Sequence, residues 1–319
     1  MVLKMAKSSA KVLITCPPMI GTQDQYLQRF TDKGIEVYCP NVVQTMDEKD
    51  LIQLVPQFDG WIIGDDPATR NVFKAGSEGK LKAAVKWGIG VDNVDFSACH
   101  DFNIPVTNTP DMFGAEVADI AVGYVIALAR ETFRIDREIR TGKWPKYRGI
   151  SLSGKNVGLV GYGDIGKNTA KRLLASDMNI IVYDPLYREK SDSNGVSFKQ
   201  WPECLSKCDF LLFTCSLNED NIHMLNTSTL ALCQKGIRVI NVARGPLINE
   251  AALLESLQSG LVQSAALDVF ENEPLPMDSE LRKYPSCIFG SHNGSNTSDA
   301  VAKTNDRVIN KIFHMLGVN

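Results

Sequence analysis

Three side chains in the last quarter of the chain have types suited to acid–base chemistry on an anionic substrate. Arg244, Glu273 and His292 each follow a short apolar run that is typical of a strand. Histidine exchanges protons near neutral pH, and a carboxylate at its second ring nitrogen stabilises the imidazolium. A guanidinium grips a carboxylate through two parallel hydrogen bonds. Because oxidation of a secondary alcohol releases a hydride and a proton, this set predicts a base, its partner and a substrate anchor.

Each of these residues also has an ordinary structural explanation. A histidine after a strand is often structural, a glutamate before proline is commonly a solvated loop acid, and an arginine before glycine can simply form a surface ion pair. The other histidines, His100, His223 and His314, fall in helix-like stretches, and we interpret them as structural.

A glycine-rich turn upstream predicts a dinucleotide site. The run Gly-Tyr-Gly-Asp-Ile-Gly, which begins at Gly161, lies between an apolar strand and a helical pattern. There Gly161 permits a tight turn, Gly163 lets the backbone approach a pyrophosphate, and Gly166 lets the helix pack on the strand. Asp184 ends the next strand, where a carboxylate binds the adenosine ribose and repels the extra phosphate of NADP. The pattern therefore favours NAD.

This interpretation of the turn leaves alternatives open. Three glycines alone often form only a tight turn, and Asp184 before Pro185 is also consistent with a solvated turn acid. Arg188 lies close enough in sequence to keep NADP as a less favoured cofactor.

Short apolar runs and helical patterns alternate through the first hundred residues. The runs are continuous rather than alternating, as in strands buried on both faces, so the series predicts a parallel sheet with helices on both sides. The predicted strands are 11–16, 35–39, 59–64, 82–87 and 104–107, and the predicted helices between them are 24–33 and 47–58.

One long helix is predicted over residues 114–140, with turn and capping residues at Asn108-Thr109-Pro110-Asp111. Residues 141–155 break the helical pattern with three glycines, a proline and the set Trp144, Tyr147 and Arg148. We interpret this segment as an arm that packs on a neighbouring subunit or as a plain surface loop.

A second series of strands and helices begins at residue 156 and has the layout of a doubly wound dinucleotide-binding domain. Its six predicted strands are 156–160, 179–183, 209–214, 237–242, 264–269 and 287–290, with helices at 166–176, 227–234 and 249–259. The last helical pattern, 299–316, is expected to return to the first domain. The predicted domains are thus 1–107 plus 296–319 for substrate and 108–295 for NAD.

Composition narrows the class of protein. A chain of 319 residues with 44% hydrophobic and 22% charged residues is expected to form two globular domains. A net charge of -3 with scattered lysines and arginines gives no support for a nucleic-acid partner. We expect no signal peptide, membrane span or metal site, and the eight dispersed cysteines suggest free thiols in a reducing, cytoplasmic setting.

The whole chain resembles the D-isomer-specific 2-hydroxyacid dehydrogenase family, and especially its phosphoglycerate dehydrogenase-like branch. The resemblance is carried by the glycine turn, by residues 88–95, 108–110, 241–245 and 266–274, and by His292. It implies two doubly wound parallel-sheet domains, a flavodoxin-like substrate lobe and a Rossmann NAD-binding lobe. It also implies an NAD-dependent oxidoreductase that moves a hydride to or from C2 of a small D-2-hydroxy acid or 2-oxoacid, and a homodimer built around the helix after Asn108 and the arm near Trp144.

The resemblance also implies roles for individual residues. Arg244 would hold the substrate carboxylate and carbonyl, His292 would be the acid and base, and Glu273 would pair with His292. Ile89 and Gly90 would offer backbone N–H groups to the carboxylate. The cofactor would be lined by the three glycines of the turn and by Asp164, Ile165, Asp184, Cys215, Val242, Ala243, Arg244, Asp268, His292 and Gly294.

Two departures from the family pattern bear on function. The family usually has proline before the active histidine, where this chain has Ser291. Phosphoglycerate dehydrogenases commonly have a basic residue after the third strand of the substrate lobe, where this chain has Gly64-Asp65-Asp66, so a phosphate is disfavoured unless Arg70 or Lys86 compensates.

Two other functions compete with the dehydrogenase. One is an NAD(H)-sensing interaction protein or corepressor on the same scaffold, against which the retention of arginine, glutamate and histidine argues. The other is an adenosylhomocysteinase-like enzyme, which needs a longer chain and a different set of active residues.

Overall fold

The computed structural model describes residues 10–187, 192 and 195–318, and Arg188 lies outside them. The chain divides into two compact units by its internal contacts. The first unit contains the described residues up to Met112 together with those from Asn296 onwards. The second unit runs from Phe113 to Ser295.

A parallel sheet forms the core of the first unit. Its strands, within the described residues, have the order β2-β1-β3-β4-β5, the doubly wound order of flavodoxin-like folds. The central strands β1, β3 and β4 are almost completely buried, because helices cover both faces of the sheet. The strands are β1 Lys11–Ile14, β2 Glu36–Tyr38, β3 Gly60–Ile63, β4 Ala83–Lys86 and β5 Val106–Thr107.

Six helices of the described chain belong to the first unit, and one of them comes from its C-terminal end. They are α1 Pro17–Ile20, α2 Leu27–Thr31, α3 Glu48–Leu54, α4 Arg70–Glu78, α5 Phe96–Asp101 and α11 Ser298–Met315. Helix α11 packs on β3 and β4. Within this contact Trp87 Nε1 donates a hydrogen bond to Asn305 Oδ1 at 2.8 Å, which ties the last helix to the end of β4.

A larger parallel sheet forms the core of the second unit. Its order is β12-β11-β10-β9-β6-β7-β8 among the described strands. Strand order reverses between β6 and β9, and ligands of open α/β sheets bind at such a switch point beside the carboxyl ends of the strands. The strands are β6 Asn156–Val160, β7 Asn179–Tyr183, β8 Val196–Phe198, β9 Phe210–Phe213, β10 Ile237–Asn241, β11 Val262–Leu267 and β12 Ile288–Phe289.

The helices of the second unit correct the expectation of one helix over residues 114–140. Glu131 adopts a left-handed conformation with φ of 57°, so the predicted helix is two helices joined at this residue. The described helices are α6 Gly114–Arg130, α7 Thr132–Arg140, α8 Asp164–Leu174, α9 Thr227–Leu230 and α10 Glu250–Ser259.

Several other elements differ from the sequence-based expectations. The strand at β8 was not predicted, so the second sheet has more strands than the six expected. Helices α4 and α5 were also not predicted, and the predicted helix 24–33 is interrupted at Tyr26. These elements are short, between three and nine residues long, and elements of this length depend on tertiary packing for their conformation.

Residues 108–112, which we expected in the second domain, pack with the first unit. Hydrogen bonds explain this placement. Thr109 N donates to Gly88 O at 3.1 Å, and Gly88 N donates to Thr109 Oγ1 at 2.9 Å. Asn108 Nδ2 donates to Ile89 O at 3.0 Å. The segment therefore braces the loop that follows β4.

No helix within the described residues is long and apolar enough to cross a membrane. The eight cysteines, all of which lie in the described chain, are free thiols. Burial raises the pKa of several of them, among them Cys208 to about 11. The cysteines inside the sheets therefore act as small apolar residues of the core.

Candidate functional site

The glycine turn follows β6 at the switch point of the second sheet, and its geometry requires glycine. Gly161 has φ of 95°, a conformation that other residues rarely adopt. A Cβ built on Gly161 would lie 2.6 Å from the backbone nitrogen of Cys215, and one on Gly166 would lie 2.2 Å from Gly161 O. Gly161 therefore lets the turn pack against Cys215 after β9, and Gly166 lets α8 begin close against the turn.

Gly163 differs from the other two glycines of the turn. Its φ of -75° suits any residue, and a Cβ built there would meet no heavy atom of the described residues within 4 Å. Packing within the protein thus gives no reason for glycine at this position, whereas the close approach of a pyrophosphate does. The turn fits the cofactor that the sequence predicts, with the N–H groups of the first turn of α8 available for phosphate.

Asp184 ends the strand next to the glycine turn and is fixed toward it. Tyr162 N donates to Asp184 Oδ2 at 2.7 Å, and Leu186 N donates to Asp184 Oδ1 at 2.9 Å. Each carboxylate oxygen keeps a further lone pair for another donor. This arrangement orients the carboxylate beside the turn and suits it to bind the hydroxyls of a ribose.

Arg244 lies in the loop after β10, and a buried asparagine holds that loop in place. Asn241 accepts a hydrogen bond from Ala243 N at 3.0 Å and donates to Arg244 O at 2.8 Å. Arg244 Nη1 donates to Ala243 O at 2.8 Å, which fixes part of the guanidinium. Val242 and Ala243 are buried in this loop.

Glu273 and His292 form a direct hydrogen bond, with 2.8 Å between Glu273 Oε2 and His292 Nδ1. Glu273 Oε1 accepts a hydrogen bond from Phe270 N at 2.9 Å, so both carboxylate oxygens are held. His292 has φ of 54°, and its backbone N–H donates to Asp268 O at 2.7 Å. A left-handed histidine is uncommon, and such conformations concentrate at functional sites.

The loops of Arg244 and Glu273 pack directly against each other. A Cβ built on Gly245 would lie 1.9 Å from the backbone carbon and oxygen of Phe270, so only glycine permits this approach. The residue after Arg244 therefore contacts the loop that carries Glu273. The structure brings the three residues singled out from the sequence to neighbouring loops at the carboxyl edge of one sheet.

Asp268 organises the loop of His292. Gly294 N donates to Asp268 Oδ2 at 2.9 Å, and Tyr124 OH lies 3.5 Å from Asp268 Oδ1. A Cβ on Gly290 would lie 1.9 Å from Asp268 Oδ1, so this loop also passes close to the carboxylate. Burial raises the pKa of Tyr124, which therefore remains a hydrogen-bond donor.

The other residues expected along the cofactor lie around the glycine turn. Cys215 follows β9 next to Gly161, and burial raises the pKa of its thiol to about 12. Ile165 is half-buried in the first turn of α8. The Asp164 carboxylate lies against Gly114 at the start of α6.

In the first unit the loop after β4 contains Ile89 and Gly90. Ile89 is exposed and Gly90 is half-buried. The neighbouring polar groups bind one another at the same sheet edge. The buried Lys86 Nζ donates to Asp65 Oδ1 at 3.1 Å and to Trp87 O at 2.9 Å.

Three residues that contribute to the site were not assigned a role from the sequence, although Asn241 and Gly245 lie in the segment 241–245 that carries the family resemblance. Asn241 braces the Arg244 loop, Tyr124 approaches Asp268, and Gly245 permits the contact between the Arg244 and Glu273 loops. Only Gly245 carried a usable signal, because it follows Arg244 directly in a loop after a strand. The contact of Tyr124 joins residues distant in sequence, and the bonds of Asn241 to Ala243 and Arg244 depend on the conformation of the loop.

Comparison with known proteins shows which family the chain is similar to. The family model described as the NAD binding domain of D-isomer specific 2-hydroxyacid dehydrogenase matches residues 122–294. The chain is 34% identical over 279 residues to a hydroxypyruvate reductase of Thermotoga maritima, a match that covers 86% of this chain and 90% of the relative.

A second relative and a solved structure extend the likeness. The chain is 35% identical over 277 residues to D-3-phosphoglycerate dehydrogenase of Sus scrofa, a match that covers 86% of this chain but only 51% of the relative. The TT0316 protein of Thermus thermophilus superposes with a TM-score of 0.84 at 26% identity, covering 96% of this chain and 97% of that one. The chain belongs to the D-isomer specific 2-hydroxyacid dehydrogenase family.

Proposed function

We propose that the protein interconverts a small, unphosphorylated 2-oxoacid and the corresponding D-2-hydroxy acid with NADH and NAD. The observation that carries this proposal is the 2.8 Å bond between His292 Nδ1 and Glu273 Oε2, beside the loop of Arg244. The bond makes the histidine a stronger base and orients its ring. Family membership supports the reaction type.

The roles of the three residues follow from their chemistry. The Glu273 bond engages Nδ1 of His292, so Nε2 is the nitrogen that exchanges a proton with the oxygen on C2 of the substrate. Arg244 binds the substrate carboxylate and orients C2. When bound, the nicotinamide supplies or accepts the hydride. In reduction, Glu273 stabilises the imidazolium that donates the proton, and in oxidation it stabilises the imidazolium that forms.

Asp184 supports NAD over NADP. Two backbone N–H groups fix its carboxylate next to the glycine turn, and a fixed negative charge there repels a phosphate on the adenosine ribose. Replacing Asp184 with serine removes the charge and keeps a hydrogen-bonding group. We expect Asp184→Ser to raise kcat/KM for NADPH relative to NADH by about tenfold, as expected for loss of about one like-charge contact near the protein surface.

An unphosphorylated substrate is favoured by the polar groups at the carboxyl edge of the first sheet. Lys86 donates to Asp65, and Arg70 Nη2 lies 2.6 Å from Asp101 Oδ2. Lys86 and Arg70 are the cations that could have offset the negative charges of Asp65 and Asp66 beside a substrate phosphate. Both of them are paired within the protein. Buried Asp66 has a raised pKa because of desolvation, and it accepts hydrogen bonds from Met46 N and Gly64 N, which indicates a structural role.

The experiment that tests the proposed function is a substrate panel. Glyoxylate, hydroxypyruvate, pyruvate and the phosphorylated 2-oxoacid that corresponds to 3-phosphoglycerate would each be assayed with NADH and with NADPH. We expect NADH oxidation with at least one unphosphorylated acid and the lowest kcat/KM with the phosphorylated one. In the same panel, Asp65→Asn should lower the KM for the phosphorylated acid, because it removes a negative charge and leaves Lys86 positive.

Two results would contradict the proposal. NADH binding without turnover of any 2-oxoacid would favour an NAD(H)-sensing protein. A clear preference for the phosphorylated acid would refute the assignment of an unphosphorylated substrate.

We also propose that the protein is a homodimer in which a second copy covers α6, α7 and the following arm. Apolar side chains on these elements are exposed, and Trp144 is the extreme case at 77% exposure. The exposed set comprises Ile120, Ile126, Phe133, Ile139 and Trp144. Exposed apolar groups of this extent are typical of interfaces. Light scattering should give twice the mass of 35.2 kDa, and a monomer at micromolar concentration would contradict the proposal.

A further inference from the structure

The helix that follows the glycine turn begins with an acid, Asp164. An acid at this position conflicts with phosphate binding. The N–H groups and the positive end of the helix attract a pyrophosphate, and a carboxylate in the first turn competes for the same groups. The direction of the Asp164 side chain therefore affects how well the turn binds a dinucleotide.

The Asp164 carboxylate lies against Gly114, the first residue of α6. A Cβ built on Gly114 would lie 2.2 Å from Asp164 Oδ2 and 2.3 Å from both Oδ1 and Cγ. The carboxylate thus occupies the volume that any side chain at position 114 needs. Asn168 Nδ2 holds it there, with 3.1 Å to Asp164 Oδ1 and 3.0 Å to Asp164 O.

Helices α6 and α8 support this placement in two further ways. Arg172 of α8 donates to Asn168 O at 3.0 Å and to Asp119 Oδ1 of α6 at 2.7 Å. The bond to Asp119 links α8 to α6. The residue before Gly114 is Phe113, whose side chain has no hydrogen-bond acceptor for the first turn of α6. The positive end of α6 favours nearby carboxylates, and Asp164 lies there in addition to Glu116 of the first turn of α6 itself.

We infer that Gly114 is a positioning residue for the cofactor. Its missing side chain lets the Asp164 carboxylate turn to the start of α6, where Asn168 holds it, and leaves the start of α8 to the pyrophosphate. This inference rests on the NAD site of the proposed function. It assigns a role in cofactor binding to a glycine that lies outside the glycine-rich turn.

The variant Gly114→Ala tests the inference directly. Its methyl group displaces the Asp164 carboxylate and breaks the bond to Asn168, so the negative charge moves within the first turn of α8. We expect the Kd for NADH to rise roughly tenfold, as for a unit charge brought within several ångströms of a phosphate. The loss should shrink as salt increases, because the repulsion is electrostatic. Fluorescence titration with NADH measures both effects without turnover.

Two double variants separate charge from packing. In Gly114→Ala/Asp164→Asn the displaced group is a neutral amide of the same size, and in Gly114→Ala/Asp164→Ala no displaced group remains. We expect both to bind NADH close to the parent Kd. The matched control is Gly123→Ala on the same helix, where the added Cβ meets no described atom within 4 Å. Its Kd should equal that of the parent.

Asn168→Ala provides a test that adds no atom to the packed contact. Loss of the amide releases the Asp164 carboxylate, so we expect a smaller rise in Kd that also weakens with salt. Melting temperatures of all variants would be measured in parallel. A Gly114→Ala variant that fails to fold leaves the Asn168→Ala titration to decide.

The inference is overturned if Gly114→Ala binds NADH as the parent does, or if both double variants remain as weak as Gly114→Ala. It is also overturned if Gly114→Ala does not fold and Asn168→Ala binds like the parent. A parent protein that does not bind NADH at all would instead refute the proposed function. The two failures are therefore distinguishable.

Discussion

The glutamates of two histidine–glutamate pairs lie on one loop of the second unit, and the pairs differ in which ring nitrogen the glutamate contacts. His292 Nδ1 lies 2.8 Å from Glu273, and His223 Nε2 lies 2.7 Å from Glu271. Both histidines have left-handed backbones, with φ of 54° and 52°. The contact distance and the backbone conformation of the histidine therefore do not distinguish the two pairs.

The remaining contacts of His223 indicate a structural role. Its Nδ1 lies 3.4 Å from the side-chain amide of Asn249, so side chains of the protein engage both ring nitrogens. Its partner Glu271 exchanges hydrogen bonds with Glu250, since each carboxylate accepts from the backbone N–H of the other residue. This pair joins α10 to the loop that carries Glu273. In the other pair the glutamate contacts Nδ1 instead of Nε2, and we therefore assign proton exchange with the substrate to Nε2 of His292.

The largest expected effect is the loss of chemistry in His292→Ala. Removal of the acid and base should lower kcat by about a hundredfold to ten-thousandfold while NADH affinity stays close to that of the parent. The matched variant His223→Ala should keep a kcat near that of the parent and lose about 1 kcal/mol or less of stability, because its contact with Glu271 is partly exposed. Steady-state kinetics and NADH titration check both. Equal losses of kcat in the two variants would remove the functional distinction between the pairs.

Arg244→Lys should have the next largest effect. Lysine keeps the charge but cannot form the two parallel hydrogen bonds to a carboxylate, and a charge-assisted hydrogen bond contributes about 1.5–3 kcal/mol. We expect kcat/KM for the 2-oxoacid to fall by about ten- to a hundredfold. NADH titration serves as the control, since its Kd should change little. An unchanged kcat/KM would show that Arg244 does not bind the substrate.

Glu273→Gln should shift the pH dependence of the reaction. A neutral amide no longer stabilises the imidazolium, so the pKa of His292 should fall. Reduction needs the protonated histidine, and the decline of the reduction rate on the alkaline side should therefore move to lower pH. Glu271→Gln, two residues away, should leave the pH profile in place. A Glu273→Gln profile that matches the parent would contradict the proposed partnership.

The smallest expected effect is a change in stability with pH that comes from Glu250, which lies beside the pair of His223 and Glu271. Burial, with the neighbouring Glu271 and Glu273, raises the pKa of Glu250, so the folded state holds its proton more tightly than the unfolded chain. This contribution to stability is present below the unfolded pKa of 4.5 and is lost as pH rises through the raised pKa.

The matched variant for this last effect is Glu250→Gln. Its free energy of unfolding should lack the contribution of Glu250 that changes with pH. At neutral pH the variant should be slightly more stable than the parent. Urea unfolding between pH 4 and 7 would measure the difference. A difference that does not change with pH would contradict the raised pKa.

The chemistry of the candidate site was easier to predict from sequence than its support. Glu273 and His292 both follow apolar runs, and parallel strands bring their carboxyl ends to one edge of a sheet, so their proximity followed from the pattern. The bracing amide of Asn241 was not predictable, because it depends on loop conformation after the strand. The pairing of His223 with Glu271 was also missed, since the helix expected around His223 is a turn.

In the fold, too, some features could be predicted from the sequence and others could not. Continuous apolar runs predicted both parallel sheets, because strands buried on two faces need apolar residues throughout. The break at Glu131 was not predicted, since helical spacing continues across it and one left-handed residue changes the direction of the chain. The contact of Gly114 with Asp164 was equally hidden, because it joins two helices whose starts are far apart in sequence.

We propose that the site of Arg244, Glu273 and His292 supports hydride transfer between a nicotinamide and C2 of a 2-oxoacid. The most direct measurement is the transfer of deuterium from NADH that is deuterated at both C4 positions, with the product analysed by mass spectrometry and chiral chromatography. We expect one deuterium at C2 of a D-2-hydroxy acid, formed by the parent and almost absent with His292→Ala. Bound NADH that transfers no deuterium to any acid of the panel, or equal transfer by the parent and His292→Ala, would contradict the account.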